Sequence, residues 1–434
     1  MIAPVELAAD ADPAATDLLP VARRWSLLGY AGALMLLTTF ATPSGGLIGI
    51  PVLFFLKNKL HLQAHELAIF NIWTGIPLYL AFAFGLLRDR WSPFGLGDRG
   101  HLLIFGLTTA AIYVAIAFVN PTYALLLAGL ILVTASIQTV LGSANGIFSA
   151  IGQEHLMAGQ ASAVLNMATT LPLLAGFFLG GVLSQALEGQ GAVTAARILF
   201  LVGAGLMAAV ALLGMLGPKA LFTAHHEKRE THLVGDIVRL VRSWPVYPPL
   251  ILLLLWNFAP AFGTALQYHL SNTLHASDAQ VGAFYAIFWG VYLPSFLLYG
   301  YLCQRVRLSR LLLISTLLAI PQMLPLLLVH TPEGALIAAV PMSLMGGLAS
   351  AAFIDLAIRS CPRGLQGTMM MLVSTTAYFV ALRFGDLWGT DLYEHRGGFV
   401  TTVIASTAVY ALMLPVLLLV PRRLSRSTDG QPSG

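Results

Sequence analysis

The residues of this chain that could do chemistry are charged side chains placed inside, or directly beside, long apolar runs. Arg383 lies within TAYFVALRFGDLWG, and Asp386 follows three positions later on the same face of a helix. An arginine at the centre of a membrane helix costs roughly 2.5 to 3.5 kcal/mol on insertion scales, so something must offset it. A pair with Asp386 that packs the helix would do so. Contact with an anionic solute is the other reading, or release of Asp386 to carry a proton. Asp355 stands four residues before Arg359, which reads as an intrahelical pair or a contact to Arg305 rather than as a proton site. Between two apolar runs comes GLLRDR (85–90), with a partial copy, GYLCQR, at 300–305. In these segments Gly85 and Gly300 permit close helix approach. Asp89, Arg90 and Arg305 offer charge for a latch between helices.

Other chemistries find no footing. GLGDRG (95–100) has the spacing of a dinucleotide fingerprint but no preceding strand, which that site requires. HHEKRETH (225–232) lacks HExxH order and a cysteine partner, so it reads as a solvated linker. The two cysteines, Cys303 and Cys361, are far apart and fit no disulfide framework or zinc spacing. No nucleophile, histidine and acid set can be assembled, so no catalysis, metal or cofactor is expected. A formal charge of +4 without a basic field excludes nucleic acid as a partner.

The elements that must position these charges are membrane helices. The chain is 57% hydrophobic and 10% charged with mean hydropathy +0.80, whereas soluble domains carry about a quarter charged residues. About 20 apolar residues cross the hydrocarbon core as a helix. Runs of that kind are expected at 27–56, 66–87, 101–119, 122–151, 161–187, 195–217, 247–270, 280–303, 310–329, 334–358, 367–388 and 398–420. Lys and Arg concentrate in alternate loops, with only Lys57, Lys59, Arg197 and Arg396 on the opposite side. By the positive-inside rule both termini face the cytoplasm of a bacterial-type plasma membrane.

The domain plan follows. Residues 1–24 form a disordered cytoplasmic tail rather than a cleavable signal, 25–217 a six-helix bundle, and 218–245 a cytoplasmic linker. Residues 246–420 form a second six-helix bundle, and 421–434 a cytoplasmic tail. In the linker, VGDIVRLVRSW (234–244) sets Ile237, Val241 and Trp244 opposite Asp236, Arg239 and Arg242, the pattern of a helix lying on the membrane surface.

The halves repeat. At an offset of 214, Asn58, Leu60 and His61 fall on Asn272, Leu274 and His275. At 215, Ile72, Gly75, Gly85, Leu87 and Arg90 fall on Ile287, Gly290, Gly300, Leu302 and Arg305. At 206, Gln160, Thr169, Thr170 and Phe178 meet Gln366, Thr375, Thr376 and Phe384. Such duplication is the mark of carriers whose halves rock about a central site.

On Gly85, Leu87, Asp89 and Arg90, with their copy at Gly300, Leu302 and Arg305, the chain resembles the major facilitator superfamily. The copy departs where Gln304 stands for the acid. The insert WSPFGLGDRG (91–100) and the segment FFLKNKLHLQAHEL (54–67) are similar to its folate-biopterin transporter branch. The resemblance implies an all-α fold of twelve membrane helices in two pseudo-symmetric bundles. It also implies a monomeric secondary carrier of a small organic solute, pterin-like, folate-like or another organic anion, with H+ or Na+ as coupling ion.

In that fold the first, fourth, seventh and tenth helices line the cavity. Their polar residues, Thr39, Thr42, Gln138, Asn145, Asn257, Gln267 and Tyr268, become candidate solute contacts, each equally able to serve as an interhelical hydrogen bond. His269 reads as an interfacial histidine. Tyr285, Trp289 and Tyr292 form a stripe that packs or stacks a planar ring, and Tyr378 joins Arg383 as a further candidate. A scaffold of the same fold that no longer transports is the alternative reading.

Overall fold

The computed structural model describes residues 20–222 and 233–431. The expected tail at 1–19 and the HHEKRETH segment lie outside the described residues. All regular structure among the described residues is helical. The first half contains α1 (Val21–Ala41), α2 (Gly46–Asn58), α3 (Ile69–Arg90), α4 (Asp98–Phe118), α5 (Tyr123–Glu154), α6 (Ala158–Glu188) and α7 (Ala192–Leu216). After α8 (Leu233–Arg242) the second half contains α9 (Tyr247–Asn257), α10 (Thr264–Tyr268), α11 (Gln280–Leu302), α12 (Leu308–Leu328), α13 (Pro332–Ser360), α14 (Gln366–His395) and α15 (Gly398–Leu417).

Ten of these helices are each long and apolar enough to cross a bilayer. Leu107, Phe178, Leu297 and Ile337 are exposed on them, and lipid is the solvent that accepts such side chains on every side. The remaining two expected spans, 27–56 and 247–270, are broken instead of continuous. Helix α1 stops at Thr42, whose extended backbone (ψ 129°) is what the following Pro43 imposes. Helix α9 stops at Phe258 ahead of Pro260, and the chain resumes as α10 after Gly263, at φ 80°. The exposed backbone of this second break is satisfied from neighbouring helices: Ser406 accepts the Ala261 N–H at 2.8 Å, and Asp386 accepts the Thr264 N–H at 2.8 Å.

The repeat extends to backbone detail. His61 and His275 both adopt φ 54°. Leu60 and Leu274 donate backwards to Phe55 and His269, and Leu62 and Ala276 to Leu56 and Leu270. Capping boxes then start the helical segments Ala64–Tyr79, leading into α3, and Asp278–Leu302, which contains α11: Gln63 with Glu66 and Ser277 with Gln280. Two turns matching at one offset, each preceded by a break in its membrane segment, are the geometry of a duplicated unit.

Helix α8 meets the next helical segment at a bend of 71°. Val234, Ile237, Val241 and Trp244 are exposed, while Asp236 is buried and lies 3.6 Å from Arg90. An apolar face turned outward and an acid turned inward suit a helix resting on a lipid surface.

Candidate functional site

A cavity of 390 Å³ lies between the halves, among residues from the middle turns of α5, α6, α13 and α14. Its wall has two characters. The first half supplies amides and hydroxyls, among them Thr39, Thr42, Gln138, Asn145, Asn166 and Thr169. The second half supplies the rings, among them Trp256, Phe262, Phe288, Trp289, Tyr292 and Tyr378, together with further polar groups at Asn257, Gln322, Ser350, Ser374 and Thr375. No Asp, Glu, Lys, Arg or His lines it among the described residues.

The hydrogen-bond capacity of this wall is unevenly used. Asn145 and Asn257 donate their amide N–H groups to Leu141 and Leu253 at 2.9 and 2.7 Å. Thr39 and Thr42 donate to Met35 and Thr38 at 2.8 and 2.9 Å. Each of these groups therefore donates to its own helix one turn back, Asn145 also reaching the Met371 sulfur at 3.6 Å, and the oxygens remain as acceptors. Gln138 is fully buried with neither amide atom partnered; Gln322 donates to Met342 while its Oε1 is unpartnered. A buried polar group without a partner costs about 1–3 kcal/mol, which a bound solute would recover.

One end of the bundle is sealed. Gly85 on α3 abuts the backbone of Gly367 so closely that a Cβ at Gly85 would collide with the Gly367 carbonyl. Asp89 then caps the start of α14, accepting the N–H groups of Gly367 (3.0 Å) and Thr368 (2.7 Å) and the Thr368 hydroxyl (2.7 Å). A carboxylate at a helix N-terminus meets both unpaired donors and the positive end of the dipole. Arg88 holds the cap in place, donating to Asp89 at 2.7 Å and, through two nitrogens, to Asp98. Near this seal Gln153 bonds the carbonyls of Ile358 and Cys361 at 2.9 and 2.7 Å, and Ser162 that of Ala351 at 2.6 Å. The contacts between halves through Tyr79 and Phe82, at Phe379 and Thr376, lie near the middle of α3. Contacts between the halves thus run from mid-depth to the GLLRDR end.

The structure gathers Thr39, Thr42, Gln138, Asn145, Asn257, Trp289 and Tyr378 at the cavity wall. It does not bring Gln267, Tyr268, Tyr285 or Arg383 there. Gln267 and Tyr268 are exposed on α10 because the break in the chain turns that short helix away. Tyr285 sits one layer behind, edge-on to Phe262 at 5.9 Å, and His269 stacks on Phe399 at 3.9 Å. The expected Arg383–Asp386 pair is absent among the described residues. Asp386 instead bonds the N–H and hydroxyl of Thr264, while Arg383 is exposed. Arg383 follows Thr376 by two helical turns on the same face, the face that meets α3 at Phe82. Asp355 pairs with Arg359 at 2.7 Å and also accepts the Tyr299 hydroxyl at 2.7 Å. Arg305 makes no ion pair to Asp355; its guanidinium lies over the ring of Tyr301, 4.1 Å from the centroid. Gly300 lies against Ala163, 3.2 Å from where its Cβ would stand.

Sequence reasoning passed over Arg88, Asn166, Gln322 and Ser350. Gln322, a lone amide in LLAIPQMLPLLL, carried the same signal as Gln138, an embedded polar side chain. Arg88 was masked by the two charges beside it.

Comparisons with known proteins agree with this geometry. Among solved structures the chain is similar to the transporter FucP in an outward conformation (14% identity, 91% of this chain, 98% of that chain, TM-score 0.68). It is similar to a bacterial homologue of the iron transporter ferroportin in an outward-facing state (17%, 90%, 98%, TM-score 0.64). The human organic anion transporter MFSD10 (TETRAN) aligns at 17% identity over 92% of this chain and 100% of that one, with TM-score 0.62. No curated protein matches it in sequence. The family model described as Major Facilitator Superfamily matches residues 34–384, and the chain belongs to that superfamily, as a multi-pass membrane transporter rather than an enzyme.

Proposed function

We propose that the protein carries a small, uncharged, hydroxyl-rich solute across the membrane by alternating access. The observation that carries this reading is the cavity wall: amides and hydroxyls from both halves, aromatic rings from the second, and no charged side chain among the described residues. A solute with several O–H donors and an apolar C–H face matches both kinds of group at once. Gln138 and Gln322, one from each half, would take its hydroxyls, and Trp289 would cover its apolar face. An anionic solute, including a folate, would leave its charge unpaired there, which is costly in a dry site. That favours the neutral class over the pterin-like or organic-anion class.

Asp386, for which proton exchange is one reading of the sequence, is engaged outside the wall by Thr264, and Asp355, which reads as an ion-pair partner, is engaged there by Arg359 and Tyr299. This supports movement down the solute's own gradient, with no ion bound in the cavity. The basic loops support a plasma-membrane orientation with the sealed end cytoplasmic, so the cavity would face outward. FucP is described as a fucose:proton symporter of E. coli, a fold neighbour with a solute of the proposed kind.

The test is a thermal-shift series on the detergent-purified protein with neutral sugars and polyols against folates, pterins and organic acids, since a ligand of the native state raises its melting temperature. A shift with a neutral polyol, lost in Gln138→Ala, is the expected outcome. Shifts confined to the anions would overturn the proposal.

A further inference from the structure

The start of α6 also needs a cap, because it lies at the sealed end as the start of α14 does, and in the second half Gln304 stands where the first half has Asp89. Gln304 is exposed and its amide bonds back to Gly300 at 2.9 Å. The N–H groups at the start of α6 are nonetheless capped. Asp429, from the segment after the last membrane helix, accepts the Gly159 N–H at 3.1 Å and the Gln160 N–H at 2.9 Å. Arg359 donates to it at 2.7 Å, as Arg88 does to Asp89. Each latch is thus an arginine held between two aspartates, Asp89 and Asp98 about Arg88, Asp355 and Asp429 about Arg359. One aspartate of each set caps a helix of the opposite half or its pseudo-symmetric counterpart.

The segment carrying Asp429 is seated across the seam between halves. Its N–H donates to the Cys303 carbonyl at 3.0 Å, and the Gly430 N–H to the Leu156 carbonyl at 2.7 Å. Ser427 accepts the Leu308 N–H at 3.4 Å and, through its hydroxyl, Arg359 at 3.0 Å. One short stretch therefore ties the α5–α6 turn of the first half to α11, α12 and α13 of the second.

We propose that Asp429 is the positioning residue of the second gate latch, supplied by the C-terminal segment in place of the acid missing at Gln304, and that this segment must leave when the sealed end opens. In the Asp429-docked state the two halves are clamped at both seams. With the segment withdrawn, α6 loses its cap, the α11–α6 seam is free to part, and the cavity can reach the other side. This rests on the alternating-access reading but not on the identity of the solute.

Cys303 reports the event directly. Its thiol is buried, 3.4 Å from an Asp429 oxygen and packed against Gly159. Burial, with Asp429 and Asp355 nearby, also holds the thiol well above its ordinary pKa, so it is inert while the seam is closed. In a Cys361→Ala background, the rate of Cys303 modification by N-ethylmaleimide is measured on the full chain in liposomes. Asp429→Ala is expected to raise that rate about tenfold, the effect of losing one charge-assisted contact. Adding Gln304→Asp, which restores the acid at the position equivalent to Asp89, is expected to return it towards the starting value. A purely structural role for the segment would not be rescued from a different helix. An unchanged rate in Asp429→Ala, or a rise that Gln304→Asp does not reverse, overturns the proposal. Because no solute is added, neither result bears on the cavity reading.

Discussion

The two halves close the same end of the bundle with the same bonds but by different covalent routes. In the first half the capping acid, Asp89, belongs to the helix whose end it marks, and its arginine is nearly sealed from solvent, 5% exposed. In the second the acid comes from beyond the last membrane helix, and its arginine, Arg359, is 12% exposed. A cap carried on the helix moves only when the helix moves. A cap on a tail can leave by itself. Duplication therefore produced one fixed latch and one detachable latch, and the cavity is asymmetric too: both halves contribute amides and hydroxyls, but the rings come from the second half.

The comparison is broken most severely at the arginines. Arg88→Ala strands Asp89 and Asp98 in a buried site, and removing one partner of a buried pair costs about 3–5 kcal/mol. The expected result is a large fall in melting temperature. Arg359→Ala should cost less, about 1–3 kcal/mol, because Asp429 can withdraw with its segment and buried Asp355 keeps the Tyr299 hydroxyl as a donor. Equal losses in the two variants, read by thermal unfolding, would remove the distinction between fixed and detachable latches.

Next in size is Gly85→Leu. The side chain meets the Gly367 backbone, and overpacking of this kind costs about 1–3 kcal/mol, charged mainly to the sealed state. Faster alkylation of buried Cys361 in this variant, with Gly75→Leu as the control whose site is open, is the expected readout.

These predictions show which parts were legible in the sequence. Apolar runs located the ten continuous membrane helices, because the bilayer imposes length and hydropathy on every one of them. Pro43 marked the first run as liable to break, but the break at Phe258 was not legible, since an unwound segment lined by neighbouring helices keeps an apolar composition. Thr39, Gln138 and Asn145 were legible as embedded polar residues. Arg383 had the same signature without the location, because its neighbour Asp386 was committed to Thr264 across a gap of sequence that periodicity does not span. Asp429 sits in STDGQPSG, where composition reads only as a polar tail. Its one trace was an absence, the acid missing at Gln304 in an otherwise repeated motif.

A smaller effect sharpens the account of the second latch. Burial, and next the charge of Asp355, push docked Asp429 up from 3.8 to about 6, against the opposing pull of Arg359. Tyr299 and Cys303, beside Asp355 and Asp429 respectively, complete the titratable surroundings. The docked acid thus binds a proton that the free segment releases. Docking is weakest above the docked value and strengthens as pH falls through about 6, levelling off below the ordinary carboxylate value. Hydrogen exchange at the Gly430 amide, corrected for the intrinsic rate, should show greater protection at about pH 5 than at about pH 7.5. The opposite trend would mean that charge, rather than the hydrogen bonds, seats the segment.

The most direct test of the whole is flux. Purified protein in liposomes should take up a neutral polyol or sugar saturably, without an imposed proton gradient. Gln138→Ala should raise the half-saturating concentration about tenfold while leaving folding intact. Uptake restricted to anions, or uptake of neutral solutes that Gln138→Ala leaves unaltered, would contradict a cavity built to receive hydroxyl donors.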